Sequence, residues 1–347
     1  MQRMMFHRLA LAGAVAVLVT APTVAVATTP GANGQITFRR YFNADQTKSA
    51  VFTMNADGTN VQQVTHPPRN TNDDQADWAP DGERLVFSRN PADGPHWLEV
   101  VNADGSGTHR VTPVCRKKPA PNRVPAGCED AGEPSFAPDG QHVTYARATG
   151  HVRYFKKYDW EQIEHAAIAI IGVDGTGERE ILRLPRYSGD VGYPQMSPDG
   201  CLIVFERVNS PLRKPRLGHA LFVMKADGTD LHRITPWSLS AGDNPDWAPD
   251  GSRILFRSNE EVDDERSQYF TVRPDGTGLT QLTHFPFTGR RLFSASFSPD
   301  GKKIVFGKAD KKGRGDVWIM NADGSDPHPV LTVKPWDSGT DWGAASN

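Results

Sequence analysis

An all-β chain closed into a six-bladed β-propeller of four-stranded antiparallel blades is the fold this sequence predicts. Three observations predict it: two turn motifs alternate through the chain, a short apolar run follows each copy of the first, and the two ends each carry part of a repeat. The first motif is an aromatic residue or Met, then Ala or Ser, then Pro-Asp-Gly. It occupies Trp78–Gly82, Phe136–Gly140, Met196–Gly200, Trp247–Gly251 and Phe297–Gly301. Behind the copies stand Leu85-Val86-Phe87, Val143-Thr144-Tyr145, Ile203-Val204-Phe205, Ile254-Leu255-Phe256 and Ile304-Val305-Phe306. The second motif, apolar-Asn-Ala-Asp-Gly, stands at Met54–Gly58 and Met320–Gly324, with variants at Val101–Gly105, Ile171–Gly175, Met224–Gly228 and Val272–Gly276. Strands ending Val64-Thr65, Val111-Thr112, Ile234-Thr235 and Leu282-Thr283 follow most copies.

Each unit therefore reads as four short strands, A to D. Pro-Asp-Gly suits a type I turn closing A–B, because proline pre-sets the second position and glycine takes the positive φ behind it. Ala-Asp-Gly closes C–D in the same way. A four-stranded sheet of about 40 to 60 residues cannot bury both faces alone, but radial packing buries them all. Ile36-Thr37-Phe38 reads as a strand B with no strand A before it, and Asp341-Trp342-Gly343 as a strand A with no strand B after it. If the two ends share one blade, the ring closes at six and leaves no sheet edge open. The propeller is expected over residues 35–347, as a monomer.

The first residues read as an address. Arg3, His7 and Arg8 precede an apolar run from Leu9 to Val19, and Ala25-Val26-Ala27 supplies a small-x-small cleavage pattern. The run is about 11 residues, against about 20 needed to span a bilayer, so residues 1–27 are expected to be a cleaved secretory signal and 28–34 a short leader. No later stretch is apolar enough to cross a membrane. This places the mature chain outside the cytoplasm, secreted or in the periplasm or cell envelope. The net charge of −2 excludes a nucleic-acid binder that works by neutralising phosphates. The 32 Gly and 27 Pro recur at fixed places in the repeats, which makes them turn residues rather than disorder.

Cys115 and Cys128 share one Pro-rich insert, and a disulfide between them would close a short loop worth about 3 kcal/mol. The rival reading, a zinc pair, finds no His or Cys at ligand spacing nearby. Cys201 enters a strand behind a Pro-Asp-Gly turn and is expected to be a buried thiol.

The alternating pair of motifs resembles the TolB-type propeller repeat, a relative of the WD-repeat class, over about residues 35 to 343. The resemblance covers the propeller alone. TolB carries an α/β domain ahead of its propeller, and the repeats here begin too near the expected cleavage site to leave room for it. A role in the Tol–Pal envelope system is therefore not implied.

Propeller topology puts the A–B and C–D turns on one face and the B–C and D–A connections on the other. The first set is uniformly tight and the second carries the insertions. The D–A connection from Pro113 to Glu133 holds both loop cysteines. The B–C connection from Arg147 to Ala166 holds Arg153, Tyr154, Phe155, Lys156, Lys157, Tyr158 and Trp160, a mixture that suits a protein or acidic-polymer surface. A basic loop runs through Arg213, Lys214 and Arg216, and an acidic one through Glu260, Glu261, Asp263, Asp264 and Glu265. The turn aspartates Asp81, Asp139, Asp199, Asp250 and Asp300 read as turn formers. Trp78, Trp247 and Trp342 read as packing between blades.

The residue directly before each strand A aromatic or Met is polar in all six repeats: Asp77, Ser135, Gln195, Asp246, Ser296 and Asp341. Strand A is innermost, so these side chains would face the central channel. There they would form a hydrogen-bonded plug, or hold a polar ligand or a divalent cation.

No residues mark a catalytic centre. A Gly-x-Ser-x-Gly elbow, a phosphate-binding glycine loop and a His-Glu-x-x-His helix are all absent from the sequence. Some lyases acting on acidic sugars resemble TolB repeats and hold a metal with histidines near the channel mouth. Five histidines fall on the long-loop face, His66 and His284 after strand D and His151, His165 and His219 in B–C connections, and dispersed in this way they read first as ordinary surface residues. Arg290 and Arg291 would be placed to hold a carboxylate. The leading expectation is an exported scaffold that binds a protein partner, without a required cofactor. A propeller lyase or hydrolase acting on an acidic polysaccharide is the alternative.

Overall fold

The computed structural model describes residues 30–43, 47–118, 123–155, 160–209, 218–260, 263–286, 292–309, 315–332 and 337–346. The side chains of 152–155, 160–162, 243, 259–260 and 263–266 also lie outside the description, as does the expected signal segment. Six four-stranded antiparallel sheets form the ring. Blade 1 takes its innermost strand from the C-terminus: Asp337–Ala344 (A) pairs with Asn33–Tyr41 (B), followed by Ser49–Met54 (C) and Gln62–Gln63 (D). Strands A of blades 2 to 6 are Thr71–Trp78, Asp130–Phe136, Gly189–Met196, Ala241–Trp247 and Leu292–Phe297. The ring therefore closes by pairing the two ends of the chain, as the half-repeats predict. Trp342 Nε1 donates to the Gly34 carbonyl at 3.2 Å across that closure.

The two repeated turns fold for the reasons their composition gives. In the A–B turn of blade 2, the Gly82 N–H donates to the Ala79 carbonyl at 3.0 Å, with Gly82 at φ +67°. Asp81 Oδ1 accepts from the Glu83 N–H. In the C–D turns an Asp accepts from the residue two places on, as Asp57 does from the N–H and hydroxyl of Thr59. The glycine of that turn is doubly required. Gly58 has φ +80°, and a Cβ on it would lie 2.0 Å from the Val330 carbonyl oxygen of the neighbouring blade. Gly105, Gly228 and Gly324 meet a carbonyl in or just after the preceding blade's strand D in the same way, at Val64, Ile181 and Leu282. The repeated Thr after strand D also has a task. Thr65, Thr112, Thr235 and Thr283 Oγ1 each accept from a strand C N–H, at Val51, Leu98, Leu221 and Tyr269, and so extend the ladder where strand D ends.

The apolar core is divided among the blade interfaces. Val86, Leu98 and Val100 of blade 2 pack with Phe136, Val143 and Tyr145 of blade 3, and Val204, Leu221 and Val223 of blade 4 with Trp247, Ile254 and Phe256 of blade 5. Trp78 and Trp342 are buried in the corresponding interfaces of blades 2 and 1. The strand A tryptophans are thus inter-blade packing.

Two expectations need correction. The B–C connection of blade 3 is mainly a β-hairpin, since strands His142–Phe155 and Trp160–Gly172 pair from His142↔Gly172 out to Phe155↔Trp160. Consequently His151 and His165 lie in strands rather than loops, and His219 begins strand C of blade 4. Cys201 is exposed, not buried. The corresponding turn position holds Glu83, Gln141, Ser252 and Lys302 in other blades, so it faces solvent by construction. Cys115 and Cys128 are joined by a disulfide with their Cα atoms 5.1 Å apart.

Candidate functional site at the channel mouth

Strand A enters each blade from the long-loop face, so its early residues surround the channel mouth there. At this level it carries a repeated bulge. Register shifts fall between Asp74 and Asp77, Gly132 and Ser135, Gly192 and Gln195, Gly242 and Asp246, and Leu292 and Ala295. Three residues before the aromatic or Met, the chain turns left-handed: Gln75 (φ 53°), Glu133 (55°), Tyr193 (50°), Asn244 (64°) and Gly339 (66°). Four of these five are not glycine, and each such residue costs about 1 to 3 kcal/mol unless its surroundings hold it. The sequence gives no warning of this ring, because residue type at the position varies freely.

What holds it is a set of bonds from blade to blade in two tiers. In the upper tier Gln75 Oε1 accepts from the Glu133 N–H at 3.1 Å, and Glu133 Oε2 accepts from the Tyr193 N–H at 2.8 Å. Ser294 Oγ accepts from the Thr340 N–H at 3.1 Å. The lower tier belongs to the predicted polar position. Asp341 Oδ2 accepts from the Trp78 N–H at 2.9 Å, Asp77 Oδ2 from the Phe136 N–H at 2.7 Å, Gln195 Oε1 from the Trp247 N–H at 2.9 Å, and Asp246 Oδ2 from the Phe297 N–H at 2.7 Å. Gln195 Nε2 also donates to Asp246 Oδ1 at 2.9 Å, and Ser296 Oγ to Asp341 Oδ1 at 2.8 Å. Asp341, Asp77, Gln195 and Asp246 thus each satisfy a strand A donor that faces the channel and has no fifth strand to pair with, while Ser296 braces Asp341.

All six predicted channel residues line one cavity of about 130 Å³. Among the described residues acidic side chains dominate its wall, with Asp74, Asp77, Glu133, Asp246 and Asp341 against one cation, Arg39. Arg39 donates to Asp74 and to Ser338 Oγ, while its Nε is buried without a hydrogen-bond partner. Burial pushes the Asp77 carboxyl well above the usual range, and the charges of Asp341 and Asp246 add to the shift. Burial raises Asp341 as well, against the N–H of Trp78 and the hydroxyl of Ser296, which pull it down.

The other predicted residues do not join this cavity. Arg290 and Arg291, Lys157 and Tyr158, and Arg213, Lys214 and Arg216 lie outside the described residues. Arg153, Tyr154, Phe155 and Trp160 are in the distal strands of the blade 3 hairpin. His165 stands beside Glu164 on blade 3, and His219 bonds to Glu206 on blade 4. Among the described residues no three His, Cys, Asp or Glu side chains are grouped to hold a metal ion.

Comparison with known proteins agrees on the fold. The sequence matches no model of a known protein family. Among solved structures, TolB from Acinetobacter baumannii superposes with a TM-score of 0.65 at 14% identity, covering 90% of this chain and 67% of that one. A putative TolB from Agrobacterium tumefaciens gives 0.56 at 19% identity, covering 86% and 89%. Oligogalacturonate lyase in complex with manganese gives 0.53 at 16% identity, covering 86% and 79%. The chain is a six-bladed propeller of TolB-like fold. At these identities the likeness is one of architecture.

Proposed function

We propose that this chain is an extracytoplasmic binding scaffold that receives a protein partner on its long-loop face, anchored at the channel mouth. The observation that carries the reading is the cavity itself. Its walls are left-handed residues locked blade to blade, and its volume of about 130 Å³ is that of one side chain. Sites for small-molecule substrates run to about 300–1,000 Å³. A pre-formed acidic socket of this size suits the tip of a polar or basic side chain, with the blade 3 hairpin and the disulfide-bonded insert supplying the surrounding surface. Rigid walls lower the entropic cost of taking it up.

Affinity capture from secreted and cell-envelope fractions tests the proposal, using the mature chain beside a variant whose 147–166 hairpin is cut to a tight turn. A partner retained by the first and lost by the second is the expected result. Equal capture by both removes the hairpin from the interface.

A second reading is a lyase acting on an acidic sugar with a divalent cation at the channel. It rests on the fold shared with the manganese-bound oligogalacturonate lyase and on the carboxylates of Asp77, Asp246 and Asp341 around one cavity. Manganese retained through purification, together with cleavage of oligogalacturonate, would favour it over the scaffold.

A further inference from the structure

A second cavity, of about 430 Å³, lies between the disulfide-bonded insert and strand B of blade 3. Pro113, Val114 and Pro125 give it an apolar side, and Glu129, Arg147 and Glu178 a charged one. The insert is fixed over it at both ends. Cys115 is joined to Cys128, and the Val124 N–H donates to the Gly150 carbonyl at 2.9 Å beside a bridge between Arg123 and His151.

On the charged side two carboxylates, Glu129 and Glu178, share one hydroxyl proton and one guanidinium edge. Tyr145 and Arg147 reach across strand C, where their partners Ala169 and Ala167 are small, to the carboxylates near strand D. The Tyr145 hydroxyl has a single proton, yet it stands 3.1 Å from Glu178 Oε1 and 3.4 Å from Glu129 Oε1. Arg147 Nε donates to Glu129 Oε2 at 2.6 Å, with Glu178 Oε1 at 3.5 Å, and its Nη1 donates to Glu180 at 3.1 Å. Arg183 pairs with Glu180. Three carboxylates thus share two guanidinium groups. Of the nearby cations, Arg110 of blade 2 donates to the Thr112 and Pro113 carbonyls and acts on Glu129 by charge alone, and Lys117 donates to the Ala126 carbonyl.

We propose that this cleft binds a small organic cation, an ammonium or guanidinium group on an aliphatic stem. The head would sit between Glu129 and Glu178 and the stem against Pro113, Val114 and Pro125. The volume lies within the range of ligand sites and is far larger than the channel-mouth socket. Burial and the Glu178 charge raise Glu129 to about 7, so near neutral pH a proton is partly held between the two carboxylates. A bound cation displaces it. Affinity therefore rises as Glu129 ionises above pH 7 and falls below it.

Calorimetric titration of the intact mature protein with agmatine and with putrescine tests the proposal. Saturable binding of at least one of them is expected at pH 8, about tenfold weaker at pH 6 as the ionised fraction of Glu129 falls. Both Glu178→Gln and Val114→Trp should abolish it. Val114 is exposed at the rim, so a Trp there fills the cleft without disturbing the ring. The proposal is overturned if the folded wild type binds neither amine at pH 8. It is equally overturned if either variant leaves binding unchanged, or if affinity does not fall between pH 8 and pH 6.

Discussion

At the scale of single residues, the polar position ahead of the strand A aromatic does two jobs that pull in opposite directions. Asp246 is 2% exposed and accepts from both Phe297 N–H and Gln195 Nε2, so it joins three blades. Removing it strands two buried donors, each worth about 1–3 kcal/mol. Asp246→Ala is expected to lower unfolding stability by about 3 kcal/mol in urea titration. Asp246→Asn, which keeps an acceptor oxygen, should cost less than half of that. Buried carboxylates, at the channel mouth and elsewhere, set the pH dependence. Asp77 and Asp341 are raised by burial, Asp190 is raised to about 7, and Glu129 to about 7. Acids raised in the folded state favour folding while protonated, and that contribution is lost as pH climbs through their folded values. The turn aspartates Asp57, Asp104, Asp227 and Asp275 are instead lowered by their Thr or Ser partners, and favour folding until pH drops below the ordinary carboxylate range. Thermal melts should therefore peak in mild acid, near pH 5, and decline toward pH 8. A melting temperature that rises steadily to pH 8 would refute the burial of these ionisable carboxylates.

At the scale of elements, the turns were legible in the sequence and the hairpin was not. Pro-Asp-Gly and Asn-Ala-Asp-Gly announce themselves because glycine and aspartate are selected by φ and by a local hydrogen bond. Gly58→Ala must accommodate a positive φ and a collision with the Val330 carbonyl, whereas Gly177→Ala has positive φ but nothing within 4 Å. The first is expected to destabilise by at least 2 kcal/mol and the second by about 1, read from denaturant midpoints. The extension of blade 3 escaped a reading by composition, because its charged and aromatic residues lack the turn residues that bound the other strands. The bulge at Gln75, Glu133, Tyr193 and Asn244 escaped for a different reason. Non-glycine residues carry no mark of left-handed backbone, and the constraint is imposed by the neighbouring blade. Counting three residues back from each repeat aromatic would have located the position, though not its conformation.

At the scale of the whole molecule, six similar blades produce a ring whose chemistry is uneven. Tight turns make one face regular, while the other holds an acidic socket and a disulfide-bonded insert that roofs a separate cleft. The ring and its closure followed from repeats and half-repeats at the ends. The socket followed in part, since the six channel residues share a motif position and therefore a place. The identity of a partner has no such signature, because the residues that would choose it vary from blade to blade. Closure by Asp337–Ala344 also makes the ring one cooperative unit. Truncation before Asp337 leaves strand B of blade 1 without its inner partner, and is expected to abolish a single cooperative melt rather than merely lower its midpoint.

The central claim, a partner seated over the channel mouth, is tested most directly by photo-crosslinking. Benzoylphenylalanine in place of Phe293, on the cavity wall, is compared with the same residue in place of Leu279, exposed beside a C–D turn on the opposite face. A discrete crosslinked partner from position 293 and none from position 279 is the predicted result. Crosslinking from 279 alone would place recognition on the tight-turn face and contradict the account.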